Sequence, residues 1–159
     1  MVAVGAVTAE PLSASARHLP ILPLSKPIRE HCERHASDWQ CEKLQKFVLN
    51  FAAERYDRTW ASGMELRIAR AVEVNDRGVF MIRALECHSD RCALEVGSYV
   101  RRYSDLGGDK ALQADLHQQT AIDTSEMQPG GVPLMISLRT YARPEVAIAE
   151  WQAEQAAGR

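Results

Sequence analysis

Apolar residues recur at helical spacing through the first part of this chain. Cys41, Leu44, Phe47, Val48 and Phe51 fall at intervals of three and four, which predicts an amphipathic helix running to Tyr56 with that stripe buried. Ser37 followed by Gln40 has the form of a capping box at its start. Upstream, Ile28 to His35 predicts a shorter helix with Pro27 at its first position, where a missing amide hydrogen is tolerated. Asp57 and Thr59 can cap a further helix, along which Trp60, Met64, Ile68 and Val72 recur every fourth residue. Gly63 weakens that helix by about 1 kcal/mol against Ala, which one helix tolerates.

After the turn signal Asn75-Asp76-Arg77-Gly78 the period changes to two. Val79 to Cys87 and Cys92 to Val100 predict two strands joined by His88-Ser89-Asp90-Arg91. With Cys87 opposite Cys92, Leu85 faces Leu94, Arg83 faces Val96 and Met81 faces Ser98. One face then carries Val79, Met81, Leu85, Leu94, Val96 and Val100 beside the cysteines, with Arg83 its one misfit. The other face, with Phe80, Ile82, Ala84, Glu86, Ala93, Glu95 and Tyr99, is mixed. Asp109 opens a predicted short helix through Gln119 that places Leu112 and Leu116 one turn apart. Thr120 to Gly131 read as a loop ending in Pro129-Gly130-Gly131. Val132 to Tyr141 predict a third strand, and Pro144 opens an Ala-rich helix containing Ile148 and Trp151. This order predicts an α+β fold: a small three-stranded antiparallel or mixed sheet with a disulfide-closed hairpin, covered by helices.

Residues 1–27 stand apart from a single domain over 28–157. Pro11, Pro20, Pro23 and Pro27 disfavour regular structure. The opening Met1 to Val7 is apolar and short, and Val7-Thr8-Ala9 and Ala14-Ser15-Ala16 suit a signal peptidase. No basic residue precedes Arg17. Two readings stand: the remnant of a signal or anchor segment that begins upstream, or a plain flexible leader.

Composition narrows the function classes. The 159 residues carry a formal net charge of −2, with 25% charged, which is ordinary globular composition without the basic excess of a nucleic-acid binder. No apolar run within the chain is long enough to span a membrane, while an anchor upstream stays open. The 4 cysteines carry more information. Cys87 and Cys92 sit opposite each other on a hairpin, and Cys32 and Cys41 bracket a helix start, so two local disulfides are the expectation. Disulfides persist in oxidising compartments, which points to a periplasmic or otherwise exported protein. Two alternatives stay open. His31, Cys32, His35 and Cys41 have the atoms of a zinc site, although the spacing matches no common finger. A redox-active C-x4-C is the other, although redox pairs usually sit at helix N-termini.

The segment Leu85-Glu86-Cys87-His88-Ser89-Asp90-Arg91-Cys92-Ala93-Leu94-Glu95-Val96, with Trp60-Ala61 upstream, resembles a cysteine hairpin of uncharacterised exported proteins of Gram-negative bacteria. The resemblance covers residues 47–100. It implies an envelope location and no established activity.

Other chemistry-bearing residues have plain readings. Glu86 and Glu95 could form a paired-carboxylate site, but as exposed strand residues they read as solvated surface. His88, Ser89 and Asp90 are adjacent on one turn, whereas a triad draws on separated segments. Gly107-Gly108 with Asp109 lacks any phosphate-loop pattern. Arg101, Arg102 and Arg139 suggest a local basic patch, His117 a surface residue, and Trp39, Trp60 and Trp151 packing residues.

The resulting expectation is a non-enzymatic envelope accessory or inhibitor/immunity-type protein that binds another envelope protein, with no cofactor, metal or catalytic set. Its expected binding surface is the hairpin turn His88, Ser89, Asp90 and Arg91. The alternatives are an envelope hydrolase, a thiol oxidoreductase and a zinc-stabilised module.

Overall fold

In a computed structural model, residues 18–75, 79–100, 110 and 112–158 are described. The chain forms α1 (Lys26–Arg34), α2 (Trp39–Ala53), α3 (Arg58–Asn75), β1 (Met81–Cys87), β2 (Arg91–Ser98), β3 (His117–Met127), β4 (Pro133–Ala142) and α4 (Pro144–Ala156). The strands make one four-stranded sheet in the order β1-β2-β4-β3, antiparallel at every junction. The fold is therefore α+β as expected, with four strands in place of three. The signal-like motifs of the leader, Gly107-Gly108-Asp109 and Arg101-Arg102 lie outside the described residues.

The apolar stripes behave as their spacing predicts. Cys41, Leu44, Phe47 and Phe51 of α2 are buried, with Ile28 of α1, against Ala84, Ala93, Ile136 and Leu138 on one sheet face. Ile68, Ala69 and Val72 of α3 pack on Leu85, Cys87, Cys92 and Leu94 on the other. The sheet is thus a central layer between helices, and its mixed face is covered rather than solvated. Asp38, not Ser37, caps α2: its carboxylate accepts from the Gln40 amide at 2.8 Å. Asp57 caps α3 as expected, accepting from the Trp60 amide at 3.2 Å.

A bulge removes the one misfit of the predicted hairpin. Leu85 opposes Leu94 and Cys87 opposes Cys92 as expected, but Ile82 opposes Val96 and Ala84 opposes Glu95, so Arg83 is the extra residue on β1. A one-residue slip exchanges the faces upstream of it. Ile82 joins the cysteine-side core and Met81 is exposed, the reverse of their assignment by alternation. Arg83 reaches Glu95 instead, its Nε 2.9 Å from Oε2. Its Cδ lies 3.0 Å from where a Cβ on Gly97 would stand, so glycine leaves room for the arginine stem.

The predicted loop Thr120–Gly131 is largely strand β3. Its 11 residues hold few apolar side chains because it is an edge strand with alternating exposure. Pairing with β4 makes the strand, including a buried contact of 2.5 Å between the hydroxyls of Thr120 and Thr140. The helix expected through Gln119 stops short: Leu112 and Leu116 are buried, but His117 already belongs to β3. At the other end, residues 18–25, assigned to the leader by sequence, are anchored. Leu19 pairs with Leu85 through hydrogen bonds of 2.9 and 2.8 Å, and Ile21 is buried.

Cys32 is bonded to Cys41 and Cys87 to Cys92. Chain-entropy loss gives the shorter ring about 2 kcal/mol. Cys87→Ala with Cys92→Ala should therefore lower unfolding stability by at least about 2 kcal/mol, because both sulfurs also leave a fully buried core. Urea unfolding of that variant checks this; unchanged stability would contradict it.

Candidate functional site

The four residues of the expected binding turn are fastened into the fold on every side. His88 stacks flat on Phe51 of α2, with ring centroids 3.7 Å apart. Its Nδ1 lies 2.6 Å from the Phe51 carbonyl oxygen and its Nε2 lies 2.9 Å from Glu86 Oε2. Both ring nitrogens are thus engaged by oxygen atoms of the fold. Glu86 also accepts from the Ile21 amide at 2.9 Å. Ser89 and Asp90 are gripped by Arg143, whose Nε donates to the Ser89 carbonyl at 2.9 Å while its guanidinium lies 4.3 Å over the Trp60 ring. The Arg143 amide donates to the Asp90 carbonyl at 2.9 Å.

Arg91, the first residue of β2, is buried and donates to Glu54 beyond α2 and to Glu150 of α4. Glu54 also accepts from the Asp90 amide at 3.2 Å. On the far side of the hairpin, Glu65 of α3 is buried and accepts from the Cys87 amide at 2.8 Å, with His18 Nδ1 2.7 Å away. A carboxylate in that position is stabilised because each approaching group can donate. The turn is therefore a junction of α2, α3, β1, β2 and α4 rather than a tip projecting into water.

Among the four turn residues, Arg91 borders an opening. A cleft of about 330 Å³ runs beside it, between Lys43, Lys46, Phe47 and Asn50 of α2, the His117–Thr120 start of β3, and Glu150, Trp151 and Glu154 of α4. Lys46 has no carboxylate partner among the described residues. Trp151 is 61% exposed and Trp39 is 60% exposed, so two of the three tryptophans are surface groups and only Trp60 packs as expected. Lys43 and Lys46, the carboxylates of Glu150 and Glu154, amide side chains and an exposed indole make this lining a mixed polar and aromatic surface of the kind protein partners use.

The other candidates resolve without a reaction centre. Glu86 opposes Ala93 and Glu95 opposes Ala84, as the register predicts. Neither is solvated surface: Glu95 is buried against Arg83, and Glu86 is engaged by His88. Both ring nitrogens of His88 are occupied, so Ser89 has no base beside it. The sulfurs of the zinc candidate are bonded to each other, and among the described residues no group of three His, Cys, Asp or Glu is placed to hold a metal. Cys87 and Cys92 are fully buried, out of reach of a solvent thiol. Arg139 is buried beside Asp123 rather than part of a surface patch.

Glu54, Glu65 and Glu150 were not singled out by sequence. Only Glu65 carried a signal, a charge on the stripe Ala61, Glu65, Ile68 and Val72 that faces the core. No family model, curated protein or solved structure matches this chain.

His31 adds a pH dependence at α1. Burial, then the neighbouring His35 and Arg34, holds its imidazole below the ordinary value of 6.5. The unfolded chain takes up that proton more readily, so the contribution to stability is intact above 6.5 and is lost as pH falls from 6.5 through the lower folded value. His31→Asn should show a shallower loss of stability below 6.5 than the parent in urea melts on both sides of that pH; parallel pH profiles would contradict this.

Proposed function

We propose that this chain is an exported, non-enzymatic protein of the cell envelope that binds another envelope protein, as an accessory or as an inhibitor or immunity-type partner. The observation that carries the reading is the cleft beside Arg91. Arg91 lines it and is tied through Glu54 to the end of α2 and through Glu150 to α4, so this surface is set before a partner arrives. A preorganised surface spends little binding energy on ordering side chains. Lys46 and Trp151 are exposed groups on it. Aromatic and cationic anchors of this kind concentrate binding energy.

The periplasmic or otherwise exported location is supported by the two disulfides, which an oxidising compartment maintains. The E-C-x4-C resemblance points the same way. Among the described residues no helix is long and apolar enough to cross a membrane. Relative to the sequence reading, the proposed contact moves from the tip of the turn into the cleft that Arg91 borders.

The test compares partner recovery from envelope extract by the parent, by Lys46→Glu with Trp151→Ala, and by Ser89→Gly. The cleft variant should lose at least about tenfold of the recovered partner, since two anchors each contribute more than about 1 kcal/mol. Ser89→Gly keeps the carbonyl that Arg143 uses and should recover the parental amount. Equal recovery by the cleft variant would overturn the site, and a folded protein that turns over a substrate at the cleft would overturn the non-enzymatic reading.

A further inference from the structure

The two disulfides sit in opposite surroundings. Cys87 and Cys92 are fully buried, inside the core that α3 closes. Cys32 is half-buried and, with Cys41, lines a groove of about 620 Å³ between α1 and α2. Leu24 and Arg29 flank that groove on one side, and Leu44, Val48 and Leu49 on the other. Cys41 is only 3% exposed, so the open approach is to the Cys32 sulfur. A thiol from solution can enter this groove, whereas it reaches Cys87 or Cys92 only when the core opens. Exposed disulfides are the labile and regulatory ones, and shielded ones resist reduction.

The exposed bond is also a main tie on α1. That helix has 9 residues, too few to persist without packing, and only Pro27 and Ile28 of it are buried. It lies against β3 and β4. We propose that Cys32–Cys41 is a redox-sensitive latch: a dithiol reduces it in the folded protein and loosens α1, while Cys87–Cys92 stays closed. A thiolate of the dithiol attacks the Cys32 sulfur, the S–S bond breaks, and Cys41 leaves as a thiolate that takes up a proton. The second thiol of the reductant, deprotonated, attacks the mixed disulfide, and Cys32 leaves in the same way. The dithiol is thereby oxidised to a disulfide, and the protein pair gains two electrons and two protons. The start of α2 offers Cys41 helix amides but also Asp38 and Glu42, so access rather than thiol acidity selects this bond. An oxidising compartment recloses the latch once the dithiol is spent. No residue of α1 lines the cleft beside Arg91, so the latch stands or falls independently of the cleft reading.

The experiment treats the full chain with graded dithiothreitol in the absence of denaturant, quenches with iodoacetamide and maps the alkylated cysteines by peptide mass spectrometry. Amide exchange is followed in parallel. Cys32 and Cys41 should be alkylated at least about tenfold faster than Cys87 and Cys92, because the buried pair waits for the core to open. At that stage exchange should speed up over residues 26–34 and stay unchanged in β1, β2 and α3. Oxidised glutathione should restore the slow exchange. Cys32→Ser with Cys41→Ser should reproduce the α1 exchange of the reduced parent, and dithiothreitol should then leave its α1 unaffected. Equal reduction of the two bonds, earlier reduction of Cys87–Cys92, or resistance of Cys32–Cys41 until the chain unfolds would overturn the proposal. Unchanged exchange over residues 26–34 after reduction would overturn it as well, and so would unfolding of the whole chain on loss of that bond alone, since the latch is local.

Discussion

A buried arginine shared by two carboxylates holds this molecule together at the hairpin end of its sheet. Arg91 opens β2, and its guanidinium reaches Glu54 beyond α2 and Glu150 on α4, so one side chain fixes the mutual position of the sheet and two helices. Taking Arg91 and Glu54 out of water costs several kcal/mol per ion, offset because each has a partner in place, whereas Glu150 keeps contact with solvent. The C-terminal helix depends on this clamp more than any other element does. Only Ala147 of α4 is buried, and Ile148 and Trp151 face outward, so apolar burial does little to seat it. The cleft exists because the helix is held there.

The rest of the hairpin junction follows the same principle of matched donors and acceptors. Glu65 receives an amide and an imidazole, Glu86 an imidazole and an amide, and Arg143 takes up the carbonyls of the turn. The Cys87–Cys92 bond lies at the centre of the junction, fully buried between β1, β2 and α3. A disulfide in that setting is structural, and it agrees with a protein built to persist in an oxidising compartment.

Much of the fold was legible in the chain because periodic apolar burial wrote it. The stripes of α2 and α3, the Cys87–Cys92 hairpin and the strand β4 all follow from spacing. The failures have separate physical causes. The bulge at Arg83 changes register without any turn residue to announce it, and it sets Arg83 beside Glu95, 12 residues away in sequence. The edge strand β3 is polar along half of its length because one side faces water, so its strongest sign was the Pro129-Gly130-Gly131 turn leading into β4. The site was less legible than the fold. Sequence singled out Arg91 but placed it at an exposed tip, because nothing local reveals that Glu54 and Glu150 converge on it from 37 and 59 residues away.

Arg91 couples the hairpin to α4. A double-mutant cycle between Arg91→Met and Glu150→Gln, read by urea unfolding, measures that coupling directly. The clamp predicts that each single change destabilises the chain and that the two effects fall short of additivity by about 1 kcal/mol or more, since either change alone already breaks the shared contact. Additive effects within about 0.5 kcal/mol would show that Arg91 and Glu150 do not act on one another and would contradict the account.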